Sequence, residues 1–184
     1  MKSTDPTPDQ FAPLPVLHGS GAHVELKPTI VIDTREQAPL RFARLLAITG
    51  TLQSGDYSFV GGGEMFTVER KSIPDLVACC VGENRARFER ELHRLRGHQF
   101  KRLLIVGQRE DIEEHRYRSN VSPASVLGSL ATWEIRYDVP IVWAGDAETA
   151  ARLVESWVHY AAREIIKATN EFLKAGEQLK LASN

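Results

Sequence analysis

Hydrophobic positions in this chain alternate between short β-type runs and longer stretches with helical spacing. Short runs rich in β-branched and aromatic residues predict five strands, at Thr29–Thr34, Thr51–Val60, Met65–Lys71, Lys101–Val106 and Val139–Trp143. The second and third strands flank Gly61-Gly62-Gly63, a turn sequence that predicts a β-hairpin. Residues 35–50 lack a clear period and are predicted to form a loop with at most a short helix.

Apolar residues three and four positions apart predict four helices in the rest of the chain. The first helix is predicted to begin at Ser72, a good N-cap, with Pro74 in its first turn, and to stop at Gly82. The other three cover about Arg85–Arg96, begin at Ser122-Pro123, and follow Asp146 as a long final helix. The resulting order of elements predicts an α/β fold with a central mixed β-sheet flanked by helices.

One domain is predicted, over residues 29–167. Residues 1–28 contain five prolines among small and polar residues without sustained periodicity, so we expect a disordered N-terminal tail. Residues 168–184 are expected to form either an extension of the final helix or a second tail.

Composition places the chain among ordinary globular proteins, with 42% hydrophobic and 26% charged residues in 184. The net charge is −1, so any surface for nucleic acid must be local. The two cysteines, Cys79 and Cys80, are adjacent, which predicts no disulfide framework and favours a reducing cytoplasm. No apolar run reaches the length of a membrane span and no signal peptide is recognisable, so we expect no membrane association.

The predicted hairpin places an acidic and a basic side chain on the same face of its second strand. Side chains alternate in a strand, so Glu69 and Lys71 project together. Simple pairing around the glycines would place Asp56 near Arg70, whereas a shift of one residue would place it beside Glu69; the sequence leaves both registers open. Two adjacent carboxylates and a lysine suit metal-assisted phosphodiester hydrolysis with Mg²⁺. The alternative is a turn aspartate beside a solvated strand end.

Two further acids have both a structural and a functional interpretation. Asp33 ends the first strand and is followed by Arg35, which is typical of a functional strand end but also of a charged turn. Asp75 lies three residues after Ser72, so it could complete a helix cap or contribute to catalysis.

A local basic surface is predicted on the second helix. Arg87, Arg90 and Arg94 share one helical face, and residues 85–102 hold seven Lys or Arg against two Glu, an excess of five positive charges. Such a face suits DNA phosphates. The alternative is a solvated face with Glu–Arg pairs along the helix.

Several segments together resemble the XPF-type nuclease domain, of the short stand-alone type found in bacteria and prophages. They are VIDTRE (Val31–Glu36), GDY (Gly55–Tyr57), VERKSIPDL (Val68–Leu76), ENRARFERELHRL and RLLIVG, in the order and spacing of that family. The resemblance covers roughly Thr29–Ile166 and implies the restriction-endonuclease-like PD-(D/E)XK nuclease fold. It also implies a Mg²⁺- or Mn²⁺-dependent endonuclease acting on branched, flap or fork DNA in repair or recombination.

The resemblance also implies roles for individual residues. Asp56 and Glu69 would be metal ligands, with Lys71 as the catalytic lysine and the Arg70 main-chain carbonyl as a further contact to the metal. The positions that match motif residues needed for activity are Asp33, Arg35, Arg70 and Asp75, and Glu36 matches the acid after the arginine. Two alternatives stay open: an inactive DNA-binding scaffold, and a nuclease that acts on RNA or has little structure preference.

Eukaryotic and archaeal relatives in this family carry a tandem helix-hairpin-helix module after the nuclease domain. Here about 18 residues follow Ile166 and no such module is visible, so we expect targeting to DNA to depend on a homodimer or on a protein partner. The apolar stripes proposed for the dimer interface are Val126, Leu130 and Trp133 on the third helix and Leu153, Val154 and Trp157 on the final helix. The alternative is that all six pack on the sheet.

Overall fold

A six-stranded sheet with helices on both faces forms the body of the protein. The computed structural model describes residues 11–18 and 27–182. The strands are β1 (Ile30–Asp33), β2 (Ala47–Gly50), β3 (Tyr57–Phe59), β4 (Phe66–Ser72), β5 (Phe100–Val106) and β6 (Ile141–Trp143). The helices are α1 (Ile73–Ala78), α2 (Gly82–Leu95), α3 (Arg109–Glu113), α4 (Pro123–Tyr137) and α5 (Ala147–Ala182).

The sheet has mixed strand directions in the order β2-β1-β3-β4-β5-β6. β3 runs antiparallel to β1 and to β4, whereas the β1–β2, β4–β5 and β5–β6 pairs are parallel. The predicted α/β class with a central mixed sheet is confirmed. Because β3 alone is reversed relative to its neighbours, its amino-terminal end meets the carboxyl ends of β1 and β4 at one edge of the sheet.

Each face of the sheet carries its own hydrophobic core. Leu103 and Ile105 of β5 point to a core formed with α1, α2, α3 and α4. Val68 of β4 and Leu104 of β5 point to the other core, which is covered by α5. This alternation is the period of two expected for strands buried on both faces, and it makes β4 and β5 a rigid centre for the adjoining edge.

The apolar stripes proposed for a dimer interface belong to these cores. Val126, Leu130, Trp133 and Val154 are buried within the protein, and Leu153 and Trp157 pack half-buried against the core beneath α5. The four buried residues therefore cover the two faces of the sheet and are not available for a dimer interface, whereas an interface that buries other parts of α4 and α5 stays a prediction. The homodimer itself stays a prediction.

Several elements differ from the sequence-based expectation. Strand β2 lies within the predicted loop at residues 35–50; it is an exposed edge strand and so lacks the buried face that produces alternation. Helix α3 was not predicted. Gly82 is the first residue of α2, while α1 ends at Ala78 with Cys79 as its C-cap.

The predicted helix caps at Ser72 and Asp146 are confirmed. Ser72 Oγ accepts a hydrogen bond from Asp75 N at 3.3 Å, and Asp146 Oδ1 accepts one from Thr149 N at 2.7 Å. These bonds satisfy amides that have no partner within the helix. Helix α5 then continues without a break to Ala182, so the described part of residues 168–184 extends the final helix.

Part of the predicted N-terminal tail packs against α5. The Phe11 ring stacks on His159, with 4.4 Å between ring centroids, and Asn170 Nδ2 donates to Val16 O at 2.8 Å. Residues 1–10 and 19–26 of the predicted tail lie outside the described residues. Within the described part of the chain, no helix is both long and apolar enough to cross a membrane.

Candidate active site

One edge of the sheet gathers most of the predicted site residues. Asp33 ends β1, Asp56 precedes β3, and Glu69 and Lys71 lie in the last half of β4. The backbone joins them directly, since Asp33 N donates to Asp56 O at 2.9 Å and Asp56 N donates to Val68 O at 2.8 Å. The main chain itself therefore holds three acids from separate segments side by side.

The register of the β3–β4 hairpin places Asp56 beside Glu69. Tyr57 pairs with Val68, and Asp56 Oδ2 accepts a hydrogen bond from Arg70 N at 2.7 Å. Of the two registers that the sequence left open, the shifted one is present. Gly55, which precedes Asp56, has φ +75°, and a Cβ at this position would lie 2.1 Å from Thr67 Oγ1. Only glycine therefore fits where this segment approaches β4.

The two neighbouring carboxyl groups of Asp56 and Glu69 resist ionisation. Burial and the charge of Glu69 raise the pKa of Asp56 to about 7. Burial also raises the pKa of Glu69, with the Lys71 ammonium acting in the opposite direction. Full ionisation of both carboxyl groups would place two negative charges beside one lysine, and a divalent cation would stabilise that state.

Lys71 lies between a carboxylate and an aromatic ring. Its Nζ is 2.5 Å from Glu69 Oε1 and 5.0 Å from the ring centroid of Phe88 on α2. Burial acts to lower the pKa of Lys71, but the charge of Glu69, the hydrogen bond to Glu69 and the charge of Asp56 together outweigh it and raise the pKa to about 12. Lys71 is therefore an ammonium at neutral pH. Sequence analysis assigned no role in the site to Phe88.

Arg70 and Glu36 form a buried clamp next to the acid pair. Arg70 Nε and Nη2 donate to the two Glu36 carboxylate oxygens at 2.8 Å each, and Tyr57 OH donates to Glu36 Oε2 at 3.2 Å. Burial acts to raise the pKa of Glu36, but the hydrogen bonds from Arg70 and the Ala38 amide and the charge of Arg70 together outweigh it and lower the pKa. Glu36 is thus the partner acid of Arg70, and Tyr57 is a third member of the cluster that sequence reasoning missed.

Asp33 is a buried anchor for Arg35. Its carboxylate accepts hydrogen bonds from Arg35 N at 2.8 Å, Arg35 Nε at 2.6 Å and Leu52 N at 2.7 Å. Burial acts to raise the pKa of Asp33, yet these bonds together lower it. The Arg35 side chain is 66% exposed. Asp33 therefore has its hydrogen-bonding capacity filled by the protein, while Arg35 is held where it can meet a ligand.

Asp75 has the geometry of a helix cap. Its Oδ2 accepts a hydrogen bond from Ser72 Oγ at 2.6 Å, and its amide donates back to Ser72 Oγ. The side chain is exposed on the first turn of α1, four residues after Lys71. The capping interpretation is thus present in the structure, and a catalytic role for Asp75 stays a prediction.

The three arginines of α2 are all exposed but have different neighbours. Arg87 lies 3.9 Å from Glu91 across one helical turn, and the charge of Glu91 acts on Glu69, so this side of α2 borders the acid pair. Arg90 and Arg94 instead line an open cavity of about 520 Å³ between α2 and Tyr137 of α4. Neither forms an ion pair with another described residue.

The donor set at this edge fits a hard divalent cation. Among the described residues, no group of three or more His, Cys, Asp or Glu side chains is arranged to hold a metal ion. Asp56 and Glu69 supply two carboxylates, and the Arg70 main-chain carbonyl is adjacent. Mg²⁺ commonly uses one or two carboxylates and fills its other positions with water and phosphate oxygens, so two acids are sufficient.

A match to a family model shows the family to which the chain belongs. The model of the ERCC4 domain matches residues 32–156. The chain belongs to the ERCC4 domain family. The matched range of this ERCC4 domain includes every residue placed above at the edge of the sheet and on α2. The resemblance to the XPF-type nuclease domain is thereby confirmed.

Solved structures show the same fold. The ERCC4 domain matches XPF from Aeropyrum pernix with a TM-score of 0.58 and 20% identity, over 74% of this chain and 62% of that chain. It matches XPF from Aeropyrum pernix in complex with DNA with a TM-score of 0.58 and 19% identity, over 75% and 66% of the two chains. This chain therefore spans less than two thirds of either XPF chain. No curated protein matches it.

Proposed function

We propose that this ERCC4 domain is a metal-dependent DNA endonuclease that hydrolyses phosphodiester bonds. The observation that carries the proposal is the adjacent pair of the half-buried Asp56 and the buried Glu69, with the Lys71 ammonium 2.5 Å from Glu69. Burying two adjacent acids is costly unless a cation compensates them. Structural acids usually have their charge matched inside the protein, as Glu36 and Asp33 do here, so the unmatched pair has the character of a functional site.

Asp56, Glu69 and the Arg70 carbonyl would hold Mg²⁺ or Mn²⁺. When bound, such an ion supplies a Lewis acid for the phosphodiester and lowers the pKa of a coordinated water. The clamp between Arg70 and Glu36 would keep the Arg70 backbone, and with it the ligand carbonyl, in place. The amide of Arg70 performs the same task for Asp56, because it donates to Oδ2 at 2.7 Å.

Lys71 and Arg35 would act on the phosphate. The Lys71 ammonium is charged at neutral pH and adjoins Glu69, where it can stabilise negative charge that develops on the phosphorane oxygens. Arg35 is exposed at the same edge and anchored by Asp33, so it can orient a phosphate with little loss of side-chain freedom. Asp75, on the adjoining first turn of α1, is the remaining candidate.

Duplex DNA would contact the exposed face of α2. Arg87 lies on the side of α2 that borders the acid pair, Arg90 and Arg94 add two positive charges farther along the helix, and the compared XPF structure in complex with DNA has the same fold. We infer branched, flap or fork DNA as the substrate class, in repair or recombination, from the family membership. Homodimer formation and a DNA-targeting protein partner are further predictions of this proposal.

A cleavage assay on the full chain tests the proposal. Labelled duplex, single-stranded, flap, fork and four-way-junction DNA would be incubated with Mg²⁺, Mn²⁺ or EDTA. We expect cleavage of at least one branched substrate with either metal, none with EDTA, and none with Asp56→Asn or Glu69→Gln. Cleavage by both variants at the rate of the natural chain would refute the site, and binding without cleavage on every substrate would favour an inactive scaffold.

A further inference from the structure

A second concave site adjoins the acid pair along the same edge of the sheet. A cavity of about 610 Å³ lies between α1 and the loop that joins α3 to α4. Its apolar wall consists of Ile73, Pro74, Val77 and Ala78, and its opposite wall includes Tyr117 and Arg118. The volume is that of a small-molecule site rather than of a groove for a duplex.

The backbone joins this cavity to the candidate active site. Ser72 pairs with Val106 at the ends of β4 and β5, so the chain segments that leave both strands start side by side. Ile73 follows Lys71 by two residues, which span at most about 7 Å. Gly107 packs so closely on Ile73 that a Cβ there would lie 2.3 Å from Ile73 Cγ1. The α1 wall of the cavity therefore begins two residues after Lys71.

The loop that forms the outer wall is held by its own hydrogen bonds. Arg116 N donates to Asp111 O at 2.7 Å, Tyr117 OH donates to Val121 O at 2.7 Å, and a ring nitrogen of His115 donates to Ser119 O at 2.8 Å. His115 itself has φ 55°, an unfavourable conformation for a residue with a side chain. A loop that maintains this conformation through local bonds presents its side chains in fixed positions before any ligand arrives.

The charges at the rim favour an anionic ligand. Arg116 neutralises Asp111 at 3.0 Å and also contacts Glu114 at 3.2 Å, so the one acid in the lining is already paired. Arg118 is exposed and forms no ion pair with another described residue. One arginine without an acidic partner therefore lies next to an aromatic side chain and an apolar wall, a combination that binds unpaired nucleotides by stacking and phosphate contact.

We propose that this cavity holds an unpaired nucleotide of the DNA substrate next to the bond that is cut. Its base lies against Tyr117 and the apolar wall of α1, and its phosphate contacts Arg118. The proposal rests on the nuclease function proposed above and deepens it. A substrate with a single-stranded segment at the cleavage point fills the cavity, whereas a continuous duplex leaves it empty.

Equilibrium binding without turnover tests the subsite. A short fluorescein-labelled thymidine oligonucleotide and a labelled blunt duplex would be titrated in EDTA and followed by fluorescence anisotropy. Tyr117→Leu removes the ring, Tyr117→Phe keeps the ring but loses the bond to Val121, and Arg118→Gln removes the charge. Arg152→Gln on α5 is the matched control, because it removes one exposed arginine on the opposite face of the sheet.

We expect Tyr117→Leu to weaken oligonucleotide binding about tenfold, and Tyr117→Phe, which keeps the stacking ring, to weaken it much less. Arg118→Gln should lower the salt slope of oligonucleotide binding by about 0.7, and Arg152→Gln should leave the slope unchanged. Duplex affinity should stay the same in every variant. Equal losses on oligonucleotide and duplex, or unchanged oligonucleotide binding in both Tyr117→Leu and Arg118→Gln, would overturn the subsite.

Arg118→Gln decides the question if Tyr117→Leu does not fold, since Arg118 is exposed and outside both cores. The two proposals also fail separately. A chain that binds the oligonucleotide through Tyr117 but cuts no DNA would refute the endonuclease and leave the subsite intact. A chain that cuts branched DNA and loses no oligonucleotide affinity in these variants would refute the subsite alone.

Discussion

The Lys71 ammonium lies 5.0 Å from the centroid of the Phe88 ring and also forms an ion pair with Glu69. Phe88 is buried against Trp133 in an edge-to-face contact with 5.0 Å between centroids. The ring is therefore a fixed surface that limits where the ammonium can lie. A cation over an aromatic face gains about 0.5–2 kcal/mol.

This contact makes Phe88 a positioning residue for Lys71. Phe88→Leu should lower kcat about tenfold at unchanged KM, because Lys71 loses its ring contact but no side chain that binds DNA is removed. Phe88→Tyr keeps the ring and should retain most of kcat. Melting temperatures of both variants separate lost packing from lost positioning. An equal kcat for Leu and Tyr would assign Phe88 to the core alone.

The acid pair should make the protein without metal less stable as the pH rises. Burial and the charge of Glu69 raise the folded pKa of Asp56 to about 7, from about 4 in an unfolded chain. The stability contributed by protonated Asp56 is thus complete below about pH 4 and is lost as the pH rises through about 7.

Asp56→Asn stays neutral at every pH and avoids that loss. In EDTA, the variant should gain at least about 1 kcal/mol over the natural chain at pH 8, and less at pH 5. Added Mg²⁺ should raise the melting temperature of the natural chain and leave that of the variant unchanged. Urea unfolding at pH 8 and pH 5 measures the free energy of unfolding of both proteins. A gain in stability that does not depend on pH would contradict ionisation of Asp56 as its cause.

The clamp between Glu36 and Arg70 should be a major source of stability at this edge. Their side chains are 3% and 12% exposed, so Glu36→Gln leaves a buried guanidinium without its counter-charge. We expect a loss of about 3 kcal/mol in the free energy of unfolding, measured in urea. Glu148→Gln breaks an exposed pair with Arg152 and should cost less than about 1 kcal/mol. Similar losses in the two variants would count against the clamp.

The arginines of α2 should determine the salt dependence of duplex binding. Each lost phosphate contact lowers the slope of log K against log salt by about 0.9. Replacing Arg87, Arg90 and Arg94 together by Gln removes up to three phosphate contacts, so the slope should fall by up to about three times that amount. Replacing Arg109, Arg136 and Arg152 by Gln is the matched control, with the same change of net charge. Equal slopes for the two triple variants would show that the three arginines of α2 form a solvated face and do not contact DNA.

One substitution can distinguish a capping role of Asp75 from a catalytic role. Asp75→Asn keeps the shape and removes the charge that the helix amino terminus favours, so a cap alone should lose about 1 kcal/mol or less and keep its turnover. We expect instead a loss of orders of magnitude in cleavage rate with little change in melting temperature. A lower melting temperature with normal cleavage would leave Asp75 as a cap only.

Local rules were sufficient for much of this protein. The alternation of β4 placed Glu69 and Lys71 on one face, and the Ser72 cap followed from residue types at a helix start. The motif residues around Asp56 and Glu69 identified the nuclease-domain family, which the family model confirms. All of these features depend on neighbours within a few positions, so a single sequence contains the information.

Tertiary structure decided the contacts between distant segments. The hairpin register that brings Asp56 beside Glu69 depends on a glycine turn that admits more than one pairing. Glu36 meets Arg70 across 34 positions, and Phe88 meets Lys71 only because α2 packs on β4. Strand β2 is defined by its hydrogen bonds to β1 rather than by a buried face. Pairings of this kind depend on how whole elements pack, since many distant partners satisfy the same local pattern.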